Sequence, residues 1–255
     1  MLSLIVKRIL DIFQTAGEML FLFLRTLYYF KEAPRNFPSI FRQMSEVGIG
    51  TLPITILMAL FIGMVLALQT GSALALYGTQ EVIGSIVGLS MVKELGPVMT
   101  SLLVAGRVGS AMAAEVGAMQ IYEEIDALKT LEIDPVRYLA MPRLIACLVA
   151  VPALVVFAII VGVAGGGMVS HVNMKINVPI NVYYEKLVQS LDYLEILKGL
   201  LKATVFGGII AHVGCYVGFK TTGGARGIGE STTRSVVLSF LLIFVANYFL
   251  TRLML

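Results

Sequence analysis

The chain has 255 residues, of which 58% are hydrophobic and only 14% are charged, and its mean hydropathy is +0.89. Soluble domains carry about 45–50% apolar and about 25% charged residues, so this composition excludes an ordinary soluble enzyme and indicates an integral membrane protein. The net charge of +3 is too small for a nucleic-acid-binding protein. Cys147 and Cys215 lie inside apolar runs, which favours two buried thiols over a disulfide or a metal site.

The N-terminal segment, residues 1–46, begins with a hydrophobic part, residues 1–30, which acidic and basic residues divide into runs too short to cross a bilayer. We expect a helix that lies in the membrane interface. Pro34 and Pro38 then predict a short polar link over residues 31–46. A cleaved signal peptide is disfavoured, because charges interrupt the apolar core and no small-residue cleavage site follows.

Four long stretches contain no acidic or basic residue, and each approaches or exceeds the roughly 20 residues that a membrane span requires. They run from Val47 to Gln80, from Leu144 to Met174, from Ala203 to Phe219 and from Ser235 to Thr251. A fifth segment is rich in Gly and Ala but includes four charged residues, and the distribution of Lys and Arg requires that it also crosses. The predicted spans are 47–80, 82–117, 144–174, 197–219 and 233–254.

Basic residues set the expected topology. The N-terminal segment and the 118–143 loop are rich in Lys and Arg, whereas the 71–84 turn has neither. The positive-inside rule therefore places the N-terminus and the 118–143 loop in the cytoplasm, and the turn and the C-terminus outside. The outer segment 175–193 is long enough for one short helix.

Charged residues inside a span are the first candidates for function. Lys93 and Glu94 lie within the second predicted span, where each ionisable group costs about 2.5–3.5 kcal/mol and usually faces a partner or a wet cavity. Neighbours on an α-helix point about 100° apart, so we expect the two to face different neighbours. A substrate contact and a structural ion pair are equally consistent with this pattern. Arg107 and Glu115, eight residues apart, favour a structural role at the helix ends.

The cytoplasmic segment 119–135 has the pattern of a short amphipathic helix. Ile125, Leu128 and Leu131 recur at helical spacing, and Pro135 ends the run. We predict an exposed apolar stripe with a charged rim. Spacing alone does not separate a solvated loop helix from a helix that docks a partner.

Several kinds of chemistry find no support in the chain. There is no Walker A motif and no familiar hydrolase motif, so we expect no catalytic residue and no ATPase site. His171 and His212 have no Cys, Asp or Glu at metal-ligand spacing, so we expect no metal site. Glycines such as Gly84, Gly88 and Gly162 predict close helix packing.

An ordered series of short motifs links these regions. The motifs are Lys93-Glu94-Leu95-Gly96-Pro97-Val98, Ala105-Gly106-Arg107-Val108-Gly109-Ser110, Ala113-Ala114-Glu115-Val116-Gly117-Ala118-Met119, Glu123-Glu124-Ile125-Asp126-Ala127-Leu128, Asp134-Pro135, Gly224-Ala225-Arg226-Gly227-Ile228-Gly229 and Ser231-Thr232-Thr233. From about residue 40 onward the chain resembles the MlaE (YrbE-like) permeases, the membrane subunits of ABC-type lipid transporters that work with MCE proteins.

The resemblance implies an all-α integral membrane protein with an N-terminal interfacial helix and five transmembrane helices. It implies a bacterial inner-membrane permease that moves phospholipid to or from an extracytoplasmic MCE-domain protein and supports outer-membrane lipid homeostasis and asymmetry. The partners would be a second copy of the chain, a cytoplasmic ABC ATPase dimer that binds ATP and Mg, and a STAS-type accessory subunit as a further candidate. No cofactor is expected in this chain.

The resemblance also implies roles for particular residues. Lys93, Glu94, Leu66 and Leu95 would line a lipid cavity at the dimer centre, with Lys93 a candidate partner for phosphate. The segment 123–134 would be the coupling helix, which inserts into a groove of the ATPase. The residues that would contact the ATPase are Glu123, Glu124, Asp126, Leu128, Leu131 and Asp134. Many members have Arg at the place of Lys93 and Gly at the place of Glu132, so phosphate binding and the end of the coupling helix are expected to differ here.

Two other functions are compatible with the residues alone. In a proton- or ion-coupled secondary transporter, Glu94 and Glu115 would be titrating relay groups, and no ATPase would be needed. A scaffold that only anchors an MCE assembly would tolerate apolar replacements of Lys93 and Glu94.

Overall fold

The computed structural model describes residues 2–174 and 176–254. Three residues lie outside the described ones: Met1 in the predicted 1–46 segment, Lys175 in the predicted 175–193 segment, and Leu255 at the end of the chain. The side chains of residues 2–9, 11, 12 and 35 also lie outside the description. The described residues contain no strand, and their α-helices are α1 (Leu2–Tyr28), α2 (Phe37–Val47), α3 (Leu52–Ala75), α4 (Ile83–Ser90), α5 (Gly96–Val104), α6 (Ser110–Ile121), α7 (Glu124–Thr130), α8 (Met141–Val172), α9 (Ile180–Ser190), α10 (Tyr193–Phe219) and α11 (Gly224–Met254).

Five helical segments in the described part of the chain are long and apolar enough to cross a membrane. They are Phe37–Ala75, Gln80–Ile121, Val136–Val172, Tyr193–Phe219 and Gly224–Met254. The predicted all-helical fold, with an N-terminal helix followed by five candidate spans, is confirmed. The segment interrupted by Lys93, Glu94, Arg107 and Glu115 is one of the five.

The predicted polar link over residues 31–46 is wrong, because this region is helical. A 3-10 helix over Tyr29–Asn36 follows α1 and leads directly into α2. Pro34 lies inside the 3-10 helix, and Pro38 is the second residue of α2. A proline in the first turn of a helix loses no intrahelical hydrogen bond, so Pro38 starts α2 where the sequence pattern predicted a break.

Other segment boundaries also differ from the prediction. The helix predicted over 119–135 is only α7, because Leu131 and Glu132 form a turn. The span predicted to begin at residue 233 begins at Gly224 instead. Gly223 and Gly224 have φ angles of +91° and +66°, which L side chains rarely adopt, so these two glycines reverse the chain and allow the Gly-rich segment to enter α11.

Three wide helical turns interrupt the spans. π-helical turns occupy Met91–Leu95 and Ala105–Gly109 between α4, α5 and α6, and a third precedes α8 at Val136–Ala140. Such turns insert one extra residue per turn and rotate the side chains that follow. Lys93, Glu94 and Arg107 all lie in π turns, so orientations inferred from an ideal α-helix do not apply to them.

The chain forms two compact units. Unit 1 comprises Met1–Gln43, Ala105–Ala146 and Gly208–Leu241, and unit 2 comprises Met44–Val104, Cys147–Gly207 and Leu242–Leu255. In unit 1, Ile125 of α7 packs with Val116 and Leu139, and Cys215 packs with Val136 and Ala140.

Unit 2 is organised around Tyr183 of α9. Its ring is fully buried among residues of α3, α4 and α8, and its hydroxyl donates a hydrogen bond to the Val163 carbonyl at 3.1 Å. Burial raises the pKa of this phenol, so it remains a neutral donor. Helix α9 is therefore anchored in the unit 2 core.

Helices α3 and α8 touch through their backbones. A Cβ atom at Gly63 would lie 1.8 Å from the Gly162 carbonyl oxygen. Helix association in lipid depends on this kind of close van der Waals contact, since lipid tails are as apolar as leucine side chains. The α3–α8 contact therefore depends on the absence of a side chain at position 63.

We predict that Gly63→Ala will lower the midpoint of thermal unfolding in detergent, because the added methyl group must push the two backbones apart at a cost of about 1–3 kcal/mol. The matched control is Gly106→Ala, since a Cβ at Gly106 would meet no described atom within 4 Å. Circular dichroism melting curves provide the measurement. Equal midpoints for the two variants would contradict the packing assignment.

Candidate functional site

A charged cluster in unit 2 surrounds the π turn that carries Lys93 and Glu94. The turn is closed by the Gly96 amide, which donates to the Met91 carbonyl five residues earlier. Glu94 is half-buried, and its carboxylate accepts three hydrogen bonds. The donors are Lys202 Nζ at 2.6 Å, Asn247 Nδ2 at 2.9 Å and Thr251 Oγ1 at 3.0 Å.

Lys202 is the most deeply buried charge of the cluster, with 4% of its side chain exposed. Its ammonium group donates to Glu94, to Thr251 Oγ1 at 2.8 Å and to the Lys93 carbonyl at 3.1 Å. An ammonium group has three donors, so every donor of Lys202 has a partner. This complete pairing is what makes a buried charge tolerable among apolar helices.

Lys93 extends to a different part of α10. Its Nζ lies 3.1 Å from Glu195 Oε2, and Glu195 also accepts from Lys198 at 3.2 Å. The prediction that Lys93 and Glu94 face different neighbours is wrong, because both side chains pair with α10. Glu195 and Lys202 are seven residues apart, two helical turns, and therefore lie on one face of α10.

The cluster encloses a small polar cavity of about 130 Å³. Three lysines and two glutamates line it, together with Gly199, Thr251 and Met254. Three lysines against two glutamates leave one excess positive charge in the lining. Two of these lysines are exposed, Lys93 to 42% and Lys198 to 39% of the side chain, and Lys93 is the one that belongs to the π turn. A cavity of this composition attracts an anionic group at Lys93 while Lys202 and Glu94 hold the helices in place.

Leu66 and Leu95, the two apolar residues predicted to bind substrate, are half-buried. Both pack against the unit 2 core formed around Ile83, Met91 and Tyr183. This core supports the start of the π turn, because Met91 is its first residue.

Five polar contributors to the cluster were not predicted from the sequence, namely Glu195, Lys198, Lys202, Asn247 and Thr251. Asn247 carried the available signal, because an amide within an apolar span usually has a polar partner.

The predicted coupling segment lies in unit 1 and is less regular than expected. Ile125 is buried and Leu128 is half-buried against Val116, Leu139 and Phe219, so the predicted exposed stripe is wrong. The short α7 uses these side chains to pack on its own unit. Leu131 alone of the three remains outside, with 69% of its surface exposed.

The acidic residues of this segment have two different environments. Glu123, Glu124 and Asp126 are exposed, and Asp126 pairs only with Lys129 of its own helix at 2.7 Å. Glu123 and Glu132 have φ angles of +60° and +59°, the left-handed region that favours glycine. The backbone at Glu132 is thus one that a glycine would adopt with less strain.

Asp134 is an internal anchor rather than an exposed acidic group. Its Oδ2 accepts from Tyr29 Oη at 2.6 Å and pairs with Arg25, and its Oδ1 accepts from the Val136 amide at 2.8 Å. Partial burial opposes ionisation, but these hydrogen bonds outweigh it and lower the pKa of Asp134. The resulting stabilisation is present above the ordinary aspartate pKa and is lost as the pH falls through the lowered value. Asp134 thus joins α1 to the segment that follows α7.

A groove of about 880 Å³ lies between α1 and this segment, within unit 1. Phe21, Leu22, Ile133 and Phe219 contribute apolar walls. Charged residues form its edge, and they are Glu18, Arg25, Lys129, Glu132, Asp134 and Lys220.

Glu115 and Arg107, the two residues predicted to have a structural role at the helix ends, lie in different environments. Glu115 accepts a hydrogen bond from Arg143 Nη2 at 2.9 Å, and this pair joins α6 to α8 within unit 1. Arg143 is buried and also donates to the Leu139 carbonyl. Arg107 is exposed in the second π turn. In the described part of the chain no group of three or more His, Cys, Asp or Glu side chains could hold a metal ion.

Comparison with known proteins identifies the family. The profile of the family described as Permease MlaE matches residues 40–253. A probable ABC transporter permease of Rickettsia typhi is 41% identical over 215 residues, which cover 84% of this chain and 82% of the relative. A probable ABC transporter permease of Synechocystis is 41% identical over 254 residues, which cover 99% of this chain and 93% of the relative.

A third relative has a more specific name. The intermembrane phospholipid transport system permease protein MlaE of Haemophilus influenzae is 33% identical over 254 residues, which cover 99% of this chain and 97% of the relative. The residues matched by the family profile reach into all five candidate spans and include the π turn of Lys93 and Glu94. The chain therefore belongs to the MlaE permease family.

Proposed function

We propose that this protein is the permease subunit of an ATP-driven phospholipid transporter. The observation that carries the proposal is the half-exposed Lys93 at a cavity with excess positive charge, inside the candidate spans of an MlaE-family permease. The name of the Haemophilus relative, an intermembrane phospholipid transport system permease, supports phospholipid as the substrate. A phosphate group would contact Lys93, while apolar surface near Leu66 and Leu95 would accommodate acyl chains.

The remaining parts of the proposal concern partners and location. The chain would work in a bacterial inner membrane with its N-terminus in the cytoplasm, as a pair of identical subunits. A cytoplasmic ABC ATPase dimer would bind ATP and Mg, and an extracytoplasmic MCE-domain protein would exchange phospholipid with the permease. A STAS-type subunit on the ATPase is a further proposed partner. Nucleotide binding would bias the dimer between two packings.

The alternative is an ion-coupled transporter in which Glu94 and Glu115 carry protons. Glu94 accepts three hydrogen bonds, and Glu115 is paired with the buried Arg143. Each carboxylate is thus engaged with fixed partners on another helix, whereas a relay needs carboxylates that exchange partners during the cycle. The pairing favours a structural and substrate-binding cluster over a proton relay.

Native mass spectrometry of the complex, extracted gently from membranes, tests the proposed assembly. We expect two copies of this chain, an ATPase dimer, an MCE-domain protein and bound phospholipid. Recovery of the chain with phospholipid but without a nucleotide-binding partner would support ion-coupled transport instead.

We predict that Lys93→Ala will weaken phospholipid binding about tenfold, the effect of losing one charge-assisted hydrogen bond to phosphate, while the ATPase stays attached. Lipid retained by the purified complex is quantified by mass spectrometry. The matched control is Lys186→Ala, since Lys186 belongs to unit 2 but does not line the cavity. Equal lipid content in wild type and Lys93→Ala would return Lys93 to a structural role.

Glu94→Ala is expected to reduce both lipid content and thermal stability, because it leaves Lys202 buried without its carboxylate. The double variant Glu94→Gln/Lys202→Met removes both charges and should recover much of the unfolding midpoint without recovering lipid. Recovery of lipid binding together with stability would show that Glu94 acts only by holding the helices.

We predict that Leu131→Asp will reduce the amount of copurifying ATPase about tenfold while the permease remains folded, because a carboxylate would be desolvated in the docking interface. Leu131 is chosen because Leu128→Asp would also disturb the unit 1 core. The control is Val188→Asp, an equally exposed apolar residue on α9. Full ATPase recovery with Leu131→Asp would remove Leu131 from the interface.

A further inference from the structure

Two neighbouring recesses of unit 1 share Thr15 and Arg234, and we call them together the Arg234 groove. The larger recess, about 780 Å³, runs along the start of α11, and the smaller one, about 340 Å³, is more polar. Lining residues of the larger recess include Arg226, Thr233, Val237, Leu238 and Leu241. The smaller recess is lined by Gln14, Glu18, Tyr216, Val217 and Lys220 in addition to the shared pair.

The charges around the groove leave one arginine uncompensated. Lys220 pairs with Glu18 at 2.9 Å, and Arg226 pairs with Glu230 at 3.0 Å. Hydrogen bonds from Lys220, Gln14 and Tyr216 lower the pKa of Glu18 to about 2, so this carboxylate is ionised and already engaged. Arg234 is exposed and makes no ion pair with any residue whose side chain the structure describes. Its planar guanidinium is suited to bidentate binding of phosphate.

The apolar half of the groove faces away from the protein core. Val237 and Leu241 are exposed and lie one helical turn apart on α11, below Arg234. Both belong to a candidate membrane span, and only 11% of an apolar 18-residue stretch of that span is buried within the chain. Exposed apolar side chains of a membrane span are suited to contact with hydrocarbon. The charged groove residues of α11, which are Arg226, Glu230 and Arg234, precede Val237 and Leu241 in the first three turns of the helix.

We propose that the Arg234 groove binds an anionic phospholipid of the surrounding bilayer. The phosphate would contact the guanidinium of Arg234, and one acyl chain would lie along Val237, Leu238 and Leu241. An unpaired cation directly above an apolar surface matches a ligand with an anionic head and an apolar tail. The groove belongs to unit 1 and the Lys93 cluster to unit 2, so this inference does not depend on the proposed transport.

The test uses the purified protein in nanodiscs that contain phosphatidylglycerol and phosphatidylcholine in equal amounts. Native mass spectrometry counts each lipid retained by the wild type, by Arg234→Gln and by Arg252→Gln. Arg252 is the matched control, an exposed arginine near the other end of α11 that does not line the groove. We expect Arg234→Gln to reduce the preference for phosphatidylglycerol about fivefold, the effect of one basic residue at a membrane surface.

Three outcomes would overturn the proposal. The preference for phosphatidylglycerol could persist in Arg234→Gln, or Arg252→Gln could reduce it equally, which would indicate unspecific attraction. Loss of the dimer in Arg234→Gln with an unchanged lipid preference would assign the groove to a second copy of the chain.

Two further variants complete the test. Lys93→Ala should leave the Arg234-dependent preference intact, so failure of the proposed transport site and failure of this groove are distinguishable. Arg234→Lys, which keeps the charge, should retain part of the preference and thereby separate charge loss from misfolding.

Discussion

The buried ammonium group of Lys202 is the interaction on which the polar interior of unit 2 depends. It reaches Glu94, Thr251 and the Lys93 carbonyl, and so connects the π turn, α10 and α11. Within apolar spans, water does not compensate a missing hydrogen bond, so each polar group needs a partner in the protein. With Lys202 and Glu94 committed to each other, the exposed lysines Lys93 and Lys198 are the cations of the cluster that a ligand can reach. The structural pair thus creates the conditions for a binding residue beside it.

Burial is distributed among the spans in agreement with this constraint. Helix α10 carries Lys202, and 61% of its apolar 18-residue stretch is buried within the chain. The corresponding fraction for α11 is only 11%. The charge that lies deepest, Lys202, is on a face that other helices cover, whereas exposed positions of α11 include Phe244 and Tyr248. Helix α11 contributes the polar side chains of Asn247 and Thr251 to the cluster. One helix can therefore support a polar cluster and face hydrocarbon at the same time.

The sequence predicted the fold well, because membrane spans depend on long apolar runs and on the distribution of Lys and Arg, which are properties of the chain itself. Local geometry was less predictable. The π turn at Met91–Leu95 depends on contacts of α4 and α5 with the rest of unit 2, and it turns both Lys93 and Glu94 towards α10. The partners of Glu94 come from residues more than 100 positions away, and spacing along one helix does not reveal them.

The segment 119–135, predicted to be the coupling helix, shows why periodicity alone overestimates exposure. Ile125, Leu128 and Leu131 have the spacing of a docking stripe, yet a helix of seven residues has too little surface to be both anchored and apolar outside. Its first two apolar residues anchor it to unit 1, and Asp134 ties the following residues to α1 through Tyr29 and Arg25. Because both ends are fixed in this way, a force applied at the exposed Leu131 would move α7, the Asp134 anchor and α1 together. A rigid attachment of this kind is what a segment needs if it is to pass a partner's motion to the membrane helices.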